Sequence, residues 1–196
     1  MTTRRTALIT GGSRGIGRAI AQVLESQNLN VVTPSRQELD LGSRESIEAF
    51  IARHGDETID ILVNNAGINV IKALESVDVC TWDNMIQVNL GAAFRLVQAF
   101  APRMADRGWG RILNLSTIFS LVTKEGRVSY SMTKAALNAL TRSAAVEFGP
   151  RGVLVNALAP GYVDTALTRQ NNTPEAIERI CSTIPLKRMA SVDELA

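Results

Sequence analysis

TALITGGSRGIGRAI, residues 6–20, runs from a short apolar segment through Gly11, Gly15 and Gly17 into a helical pattern. Ile16, Ala19, Ile20, Val23 and Leu24 keep the i, i+3, i+4, i+7, i+8 spacing of one helix face. Strand, glycine turn and helix in that order suit a dinucleotide. The glycines let backbone N–H groups approach a pyrophosphate, which then lies at the positive helix N-terminus. The spacing is G-x-x-x-G-x-G rather than G-x-G-x-x-G, and a glycine-rich turn with no ligand is the alternative reading.

Outward from this unit, short apolar runs recur at 30–33 (NVVT), 59–63 (IDILV), 111–115 (RILNL) and 153–158 (VLVNAL). They are continuously apolar rather than alternating, the pattern of strands covered on both faces. Helical spacing lies between them, as in Met85, Ile86, Asn89, Leu90, Ala93, Phe94 and Val97, where Asn89 is the one polar member. The alternation predicts an α/β fold, a three-layer, doubly wound parallel sheet of Rossmann-like type. With 196 residues, 45% of them hydrophobic, one domain spanning 1–196 is expected. The closing SVDELA, with Ser191 ahead of Asp193 and Glu194, reads as a helix start, so the domain is expected to be truncated before a C-terminal element.

A net charge of +2, from 21 basic and 19 acidic residues, lacks the concentrated basic footprint of a nucleic-acid binder. Cys80 and Cys181 sit in no Cys/His cluster, and the single histidine, His54, ends the helical run EAFIARH, where a cation suits the dipole. No metal site is expected. No window approaches the about 18 apolar residues of a membrane span, so a cytoplasmic protein without a membrane partner is expected.

The turn after the second run reads VVTPSRQELD. A carboxylate here would favour a free ribose 2′-hydroxyl, and an arginine a 2′-phosphate. Ser35 and Arg36 occupy the turn with no acid before Glu38, and Arg14 in the glycine loop supplies a second guanidinium. NADP is the expected cofactor; two solvated surface arginines are the alternative.

TGGSRGIG (10–17), NNAG (64–67), Asn89 in VNLGAAF, YSMTK (130–134) and PGYVDT (160–165), in this order, resemble the short-chain dehydrogenase/reductase family. The likeness is to its simple one-domain, 3-oxoacyl reductase-like branch. The resemblance implies hydride transfer between a nicotinamide cofactor and a small alcohol or carbonyl substrate, and assembly as a homodimer or homotetramer. It implies a phosphate loop of Gly11, Ser13, Arg14, Gly15 and Ile16, adenine contacts at Asp40 and Leu41, and ribose contacts at Asn65, Ala66 and Gly67. Pro160, Gly161, Val163 and Thr165 would lie along the nicotinamide. One departure stands out. Family members usually carry a crossover helix where only Val32 to Asp40 stand here, so either an edge strand is abbreviated or QELD returns through a loop.

SYSMTKAALNALTRSAAVEF (129–148) reads as a helix with Tyr130 and Lys134 on one face. Tyr130 is the candidate general acid for carbonyl reduction, and the base in reverse. Lys134 is expected to lower its pKa and to hold the nicotinamide ribose; by family analogy Asn89 orients that lysine through water. An ordinary amphipathic helix is the alternative reading of the pair. For the hydroxyl partner, neighbours in an extended strand point to opposite faces, so Ser116 and Thr117 do not both face the substrate. The family's serine stands thirteen residues before the tyrosine, which selects Thr117; a longer loop would select Ser116. The resulting expectation is an NADPH-dependent ketone or 3-oxoacyl reductase. An NADP-dependent alcohol or sugar dehydrogenase and a nucleotide-sensing regulatory protein are the alternatives. The cations bordering the substrate, Lys124, Arg127, Lys187 and Arg188, read as solvated surface charges, with an acidic carrier protein as their alternative partner.

Overall fold

The computed structural model describes residues 4–55 and 57–196. Five strands form one parallel sheet: β1 (Thr6–Ile9), β2 (Asn30–Val32), β3 (Ile61–Asn64), β4 (Gly110–Leu115) and β5 (Val153–Leu158), in the order β2-β1-β3-β4-β5. The helices are α1 (Gly15–Ser26), α2 (Arg44–His54), α3 (Val79–Ile86), α4 (Ala92–Asp106), α5 (Val128–Phe148), α6 (Ala166–Gln170) and α7 (Pro174–Thr183).

The continuous apolar runs follow from the pleat. Successive side chains point to opposite faces, so Leu8, Leu62 and Ile112 enter one core while their neighbours Ile9, Val63 and Leu113 enter another. The larger core packs those strand residues against Ile47 and Phe50 of α2, Leu96, Phe100 and Met104 of α4, and Ala144 of α5. The smaller packs against Ile20 and Ala21 of α1. Helices on both faces give the three layers.

β5 departs from the expectation of cover on both faces. Val153 and Val155 are buried, but Leu154 is 50% exposed and Asn156 is exposed too. Its apolar composition reflects one buried face and a sheet edge.

Other boundaries moved for local reasons. The third strand begins at Ile61 rather than Ile59, because Asp60 crosses to β1: its N–H donates to Thr6 O at 2.9 Å and its Oδ2 accepts from Thr6 N at 3.0 Å. The helical spacing over 85–97 is not one α-helix, since a π segment, Gln87–Gly91, separates α3 from α4 and carries Asn89. At SVDELA the expected helix start is a turn. Ser191 and Glu194 nevertheless form the reciprocal pair of a capping box, Ser191 N–H to Glu194 Oε2 at 2.8 Å and Glu194 N–H to Ser191 Oγ at 3.3 Å.

The short connection after β2 returns through a loop. Residues 33–43 hold no strand or helix, and β2 is the sheet edge. Ser43 then starts α2 by accepting from Ser46 N–H at 3.1 Å. The chain leaves β1 for β2 on one side and reaches β3 on the other. Strand order therefore reverses between β1 and β3, and the crevice beyond their C-terminal ends is where a ligand fits this class of sheet.

Candidate active site

The glycine turn leaves β1 at that crevice. Gly11 has φ +66° and Gly15 φ +56°, left-handed values that favour glycine. A Cβ on Gly17 would strike Asn65 Nδ2 and the Gly11 carbonyl. Thr10 ties the turn to β3: its Oγ1 accepts from Asn65 N–H and Ala66 N–H, both at 3.1 Å. Asn65 Nδ2 returns bonds to the Thr10 and Gly11 carbonyls at 3.0 and 3.2 Å. Asn65 thus braces the loop from the end of β3.

Opposite lies the 160–165 segment. A side chain on Gly15 would meet Thr165 Cγ2 only at 3.8 Å, and none would meet anything within 4 Å at Gly161. Val163 bridges to Ala190, and Thr165 caps α6 by accepting from Thr168 N–H at 3.2 Å. Pro160 O accepts from Ile118 N–H at 2.9 Å, joining this segment to the end of β4. A glycine-rich loop at the N-terminus of α1, facing an open cradle, fits a dinucleotide pyrophosphate.

The adenosine end is arranged as follows. Arg36 is an exposed side chain paired with Asp40 at 3.3 Å, while Arg14 forms the extended N-cap of α1 with no side-chain capping bond; Ser13 is exposed. Ser35 N–H donates to Glu38 Oε2 at 2.8 Å, so the acid folds back onto the turn. Asp40 also accepts from Gly42 N–H at 2.9 Å, and Leu41 packs against the larger core.

The third group sits where β3, β4 and α5 meet. Asn89, buried in the π segment, accepts from Ile68 N–H at 2.8 Å and donates to Ile68 O at 2.9 Å and Thr133 Oγ1 at 3.2 Å. Unlike the expected water-mediated link alone, these bonds fix the strand-end loop directly. Asn89 and Lys134 both border Gly67, where an added Cβ would lie 3.3 Å from Asn89 Oδ1 and 3.5 Å from Lys134 Nζ. Lys134 is 3% exposed and donates to Leu115 O at 2.6 Å. Burial lowers its pKa to about 8, so near pH 7 the ammonium is charged.

Tyr130 lies one turn before it, with the Lys134 ammonium 5.9 Å from the ring centre. Burial raises the phenol's pKa; the cation that opposes this is Arg127, followed by the nearby Thr117 side chain. The tuning expected of Lys134 therefore comes first from a different cation. Thr117 is the hydroxyl beside Tyr130. Among the described residues Ser116 Oγ is buried without a partner, while its N–H donates to Leu158 O at 2.7 Å.

The sequence pattern described as short chain dehydrogenase matches residues 35–176. A 3-oxoacyl-[acyl-carrier-protein] reductase of Aquifex aeolicus is 36% identical over 98% of this chain and 87% of its own length. This chain belongs to the short-chain dehydrogenase family. An acetoacetyl-CoA reductase of Cupriavidus necator is 34% identical over 99% of the dehydrogenase and 88% of its own length. A gluconate 5-dehydrogenase from Burkholderia cenocepacia, in complex with NADP and tartrate, superposes with a TM-score of 0.91 at 31% identity, covering 97% of this chain and 84% of that one. The Aquifex match runs over 216 positions, more than the 196 residues present, so the relative carries internal residues that this dehydrogenase lacks.

Membership makes the dehydrogenase an oxidoreductase that takes a nicotinamide cofactor. Two residues important to its site escaped the sequence reading. Thr10 lay inside the glycine motif, but its bonds to 65 and 66 arise only when β1 and β3 become neighbours. Arg127 read as surface charge and is instead 3% exposed. Among the remaining substrate-side cations, Lys187 and Lys124 are exposed as expected, and Arg188 pairs with Glu194 at 2.7 Å.

Proposed function

We propose that this dehydrogenase uses NADPH to reduce a ketone or 3-oxoacyl group to the alcohol. The observation that carries the reading is the meeting of Tyr130, Thr117 and Lys134 beside the glycine loop and Gly67. The bound nicotinamide supplies the hydride. Tyr130, whose burial keeps the phenol protonated, gives its proton to the carbonyl oxygen as negative charge develops there. Thr117 donates a second hydrogen bond to that oxygen, and pre-placed donors of this kind act where water is excluded. Lys134, held by Leu115 O, secures the ribose and adds positive charge behind the tyrosine. Asn89 fixes the loop that carries Gly67.

Ser13, Arg14, Gly15 and Ile16 hold the phosphates, with Ser35 and Arg36 at the 2′-phosphate, since the exposed Arg36 can leave Asp40 for a better anion. The 3-oxoacyl reductase and acetoacetyl-CoA reductase relatives support reduction of an oxoacyl group. The gluconate 5-dehydrogenase likeness favours a second reading, oxidation of a sugar acid by the same residues in reverse. Phe94 on α4 and Val146 on α5 are exposed apolar side chains that suit assembly as a homodimer or homotetramer.

The test is a panel of carbonyls and alcohols assayed with NADPH and NADH in parallel. Turnover of an oxoacyl thioester or ketone with NADPH at least about tenfold above NADH is expected, and Arg36→Ala narrows that ratio. An NADH preference overturns the role of Arg14 and Arg36. Nucleotide binding with no turnover of any substrate would return the sensor reading.

A further inference from the structure

Arg127 carries a buried charge that no carboxylate balances. It is 3% exposed, and among the described residues it has no ion pair and no side-chain hydrogen bond; its Nε is buried without a partner. A guanidinium does not lose its proton near neutral pH, so the charge stays. Buried charges are ordinarily paired. The Phe119 ring lies 5.4 Å from Cζ, and Tyr162 and Tyr130 are near enough to act on the charge. A ring quadrupole offsets only part of the desolvation. Arg127 is also the N-cap of α5, a 21-residue helix whose positive end disfavours a cation. Two independent features thus leave uncompensated positive charge at one spot.

That spot belongs to the substrate side of the site. Phe119 and Tyr162 meet edge to face at 5.9 Å, and Lys124 lies over the Tyr162 ring at 5.4 Å. Tyr130 stands one helical turn after Arg127 and feels its charge. The arginine is also held in place. Gly126, at φ +75°, turns the chain against Ile71 and accepts from Lys72 N–H at 3.2 Å.

We propose that Arg127 is a substrate-binding residue that receives a carboxylate, so the dehydrogenase acts on free oxo acids or hydroxy acids whose carboxylate lies close to the reacting carbon. The inference rests on the oxidoreductase reading above and names the substrate class of that site. The two terminal nitrogens form the end-on fork that matches a carboxylate with two parallel bonds. Arg127 is the covered cation on the substrate side, and one unpaired guanidinium balances a monoanion. The aromatic walls suit the short carbon chain between carboxylate and carbonyl.

The decisive measurement is calorimetric titration of pentanoate and of pentanamide into the NADP⁺-loaded protein. Pentanoate is expected to bind about tenfold or more tightly than pentanamide. Arg127→Met should bring the two together, and Arg127→Lys should keep part of the preference. NADP⁺ affinity and the melting temperature of each variant report whether the fold is intact; if Arg127→Met does not fold, the lysine variant and the wild-type ratio still decide. Equal binding of both probes to the wild type, or a preference that survives Arg127→Met, overturns the proposal. A kinetic arm compares 3- and 4-oxopentanoate with their methyl esters. Ester turnover without preference for the acids sinks this inference and leaves the reductase standing. Absence of all turnover, with the pentanoate preference intact, does the reverse.

Discussion

At the scale of single residues, the site is a balance between burial and charge. Tyr130 is pushed up by burial and held back by Arg127 and Thr117, while Lys134 is pushed down by burial to about 8. The lysine shift makes a stability prediction with a definite sign. Between pH 8 and 10.5 the unfolded chain keeps the lysine proton that the folded chain has released, so stability gained from Lys134 rises with pH across that window. Denaturant unfolding of nucleotide-stripped wild type and Lys134→Met should show the wild type gaining, relative to the variant, up to about 1.4 kcal/mol per pH unit there. A flat difference would mean the ammonium is solvated. The hydroxyl partner gives a second prediction: Thr117→Val should lower kcat by about 10²-fold or more, and Ser116→Ala by much less. A larger loss in the serine variant would reverse the assignment. The family resemblance singled out Tyr130, Lys134 and Thr117. It could not reveal Arg127, because nothing local distinguishes a buried arginine from a solvated one; Phe119, which lies against it, arrives from another segment.

At the scale of elements, the site depends on how α5 is fastened to the sheet. Asn64 and Asn114 pair across β3 and β4, Asn64 Nδ2 donating to Asn114 Oδ1 at 2.9 Å, and Asn114 Nδ2 donating to Thr141 Oγ1 of α5 at 2.8 Å. All three are buried. Asn114→Ala strands the partners at both ends and should cost about 1–3 kcal/mol in chemical denaturation, with a matching fall in activity as Lys134 loses its placement. Unchanged stability would show that water replaces the amide. The apolar runs and helix periodicity made these elements legible, since each rests on local pattern. The π segment was not legible: Asn89 falls on the apolar face in an unbroken α-helical reading too, so its burial gave no sign of the wider turn.

At the scale of the whole molecule, function follows from the reversal of strand order between β1 and β3. It opens the crevice into which the glycine turn, Gly67 and the segment at 160–165 all project. The parallel, doubly wound sheet could be read from alternation of strand and helix. The short return after β2 left two topologies open, and the sheet edge at β2 selects the loop. The exposed face of β5 was hidden for a related reason: an edge strand and a central strand share an apolar composition, and only neighbouring elements distinguish them. The central claim, that these pieces assemble a proton-coupled hydride-transfer site with Tyr130 at its centre, is tested most directly by one comparison. Carbonyl-dependent NADPH oxidation is measured for wild type and Tyr130→Phe, with NADPH affinity determined separately. A loss of about 10²- to 10⁴-fold in kcat with nucleotide affinity retained is expected; turnover equal to the wild type would contradict the role of Tyr130.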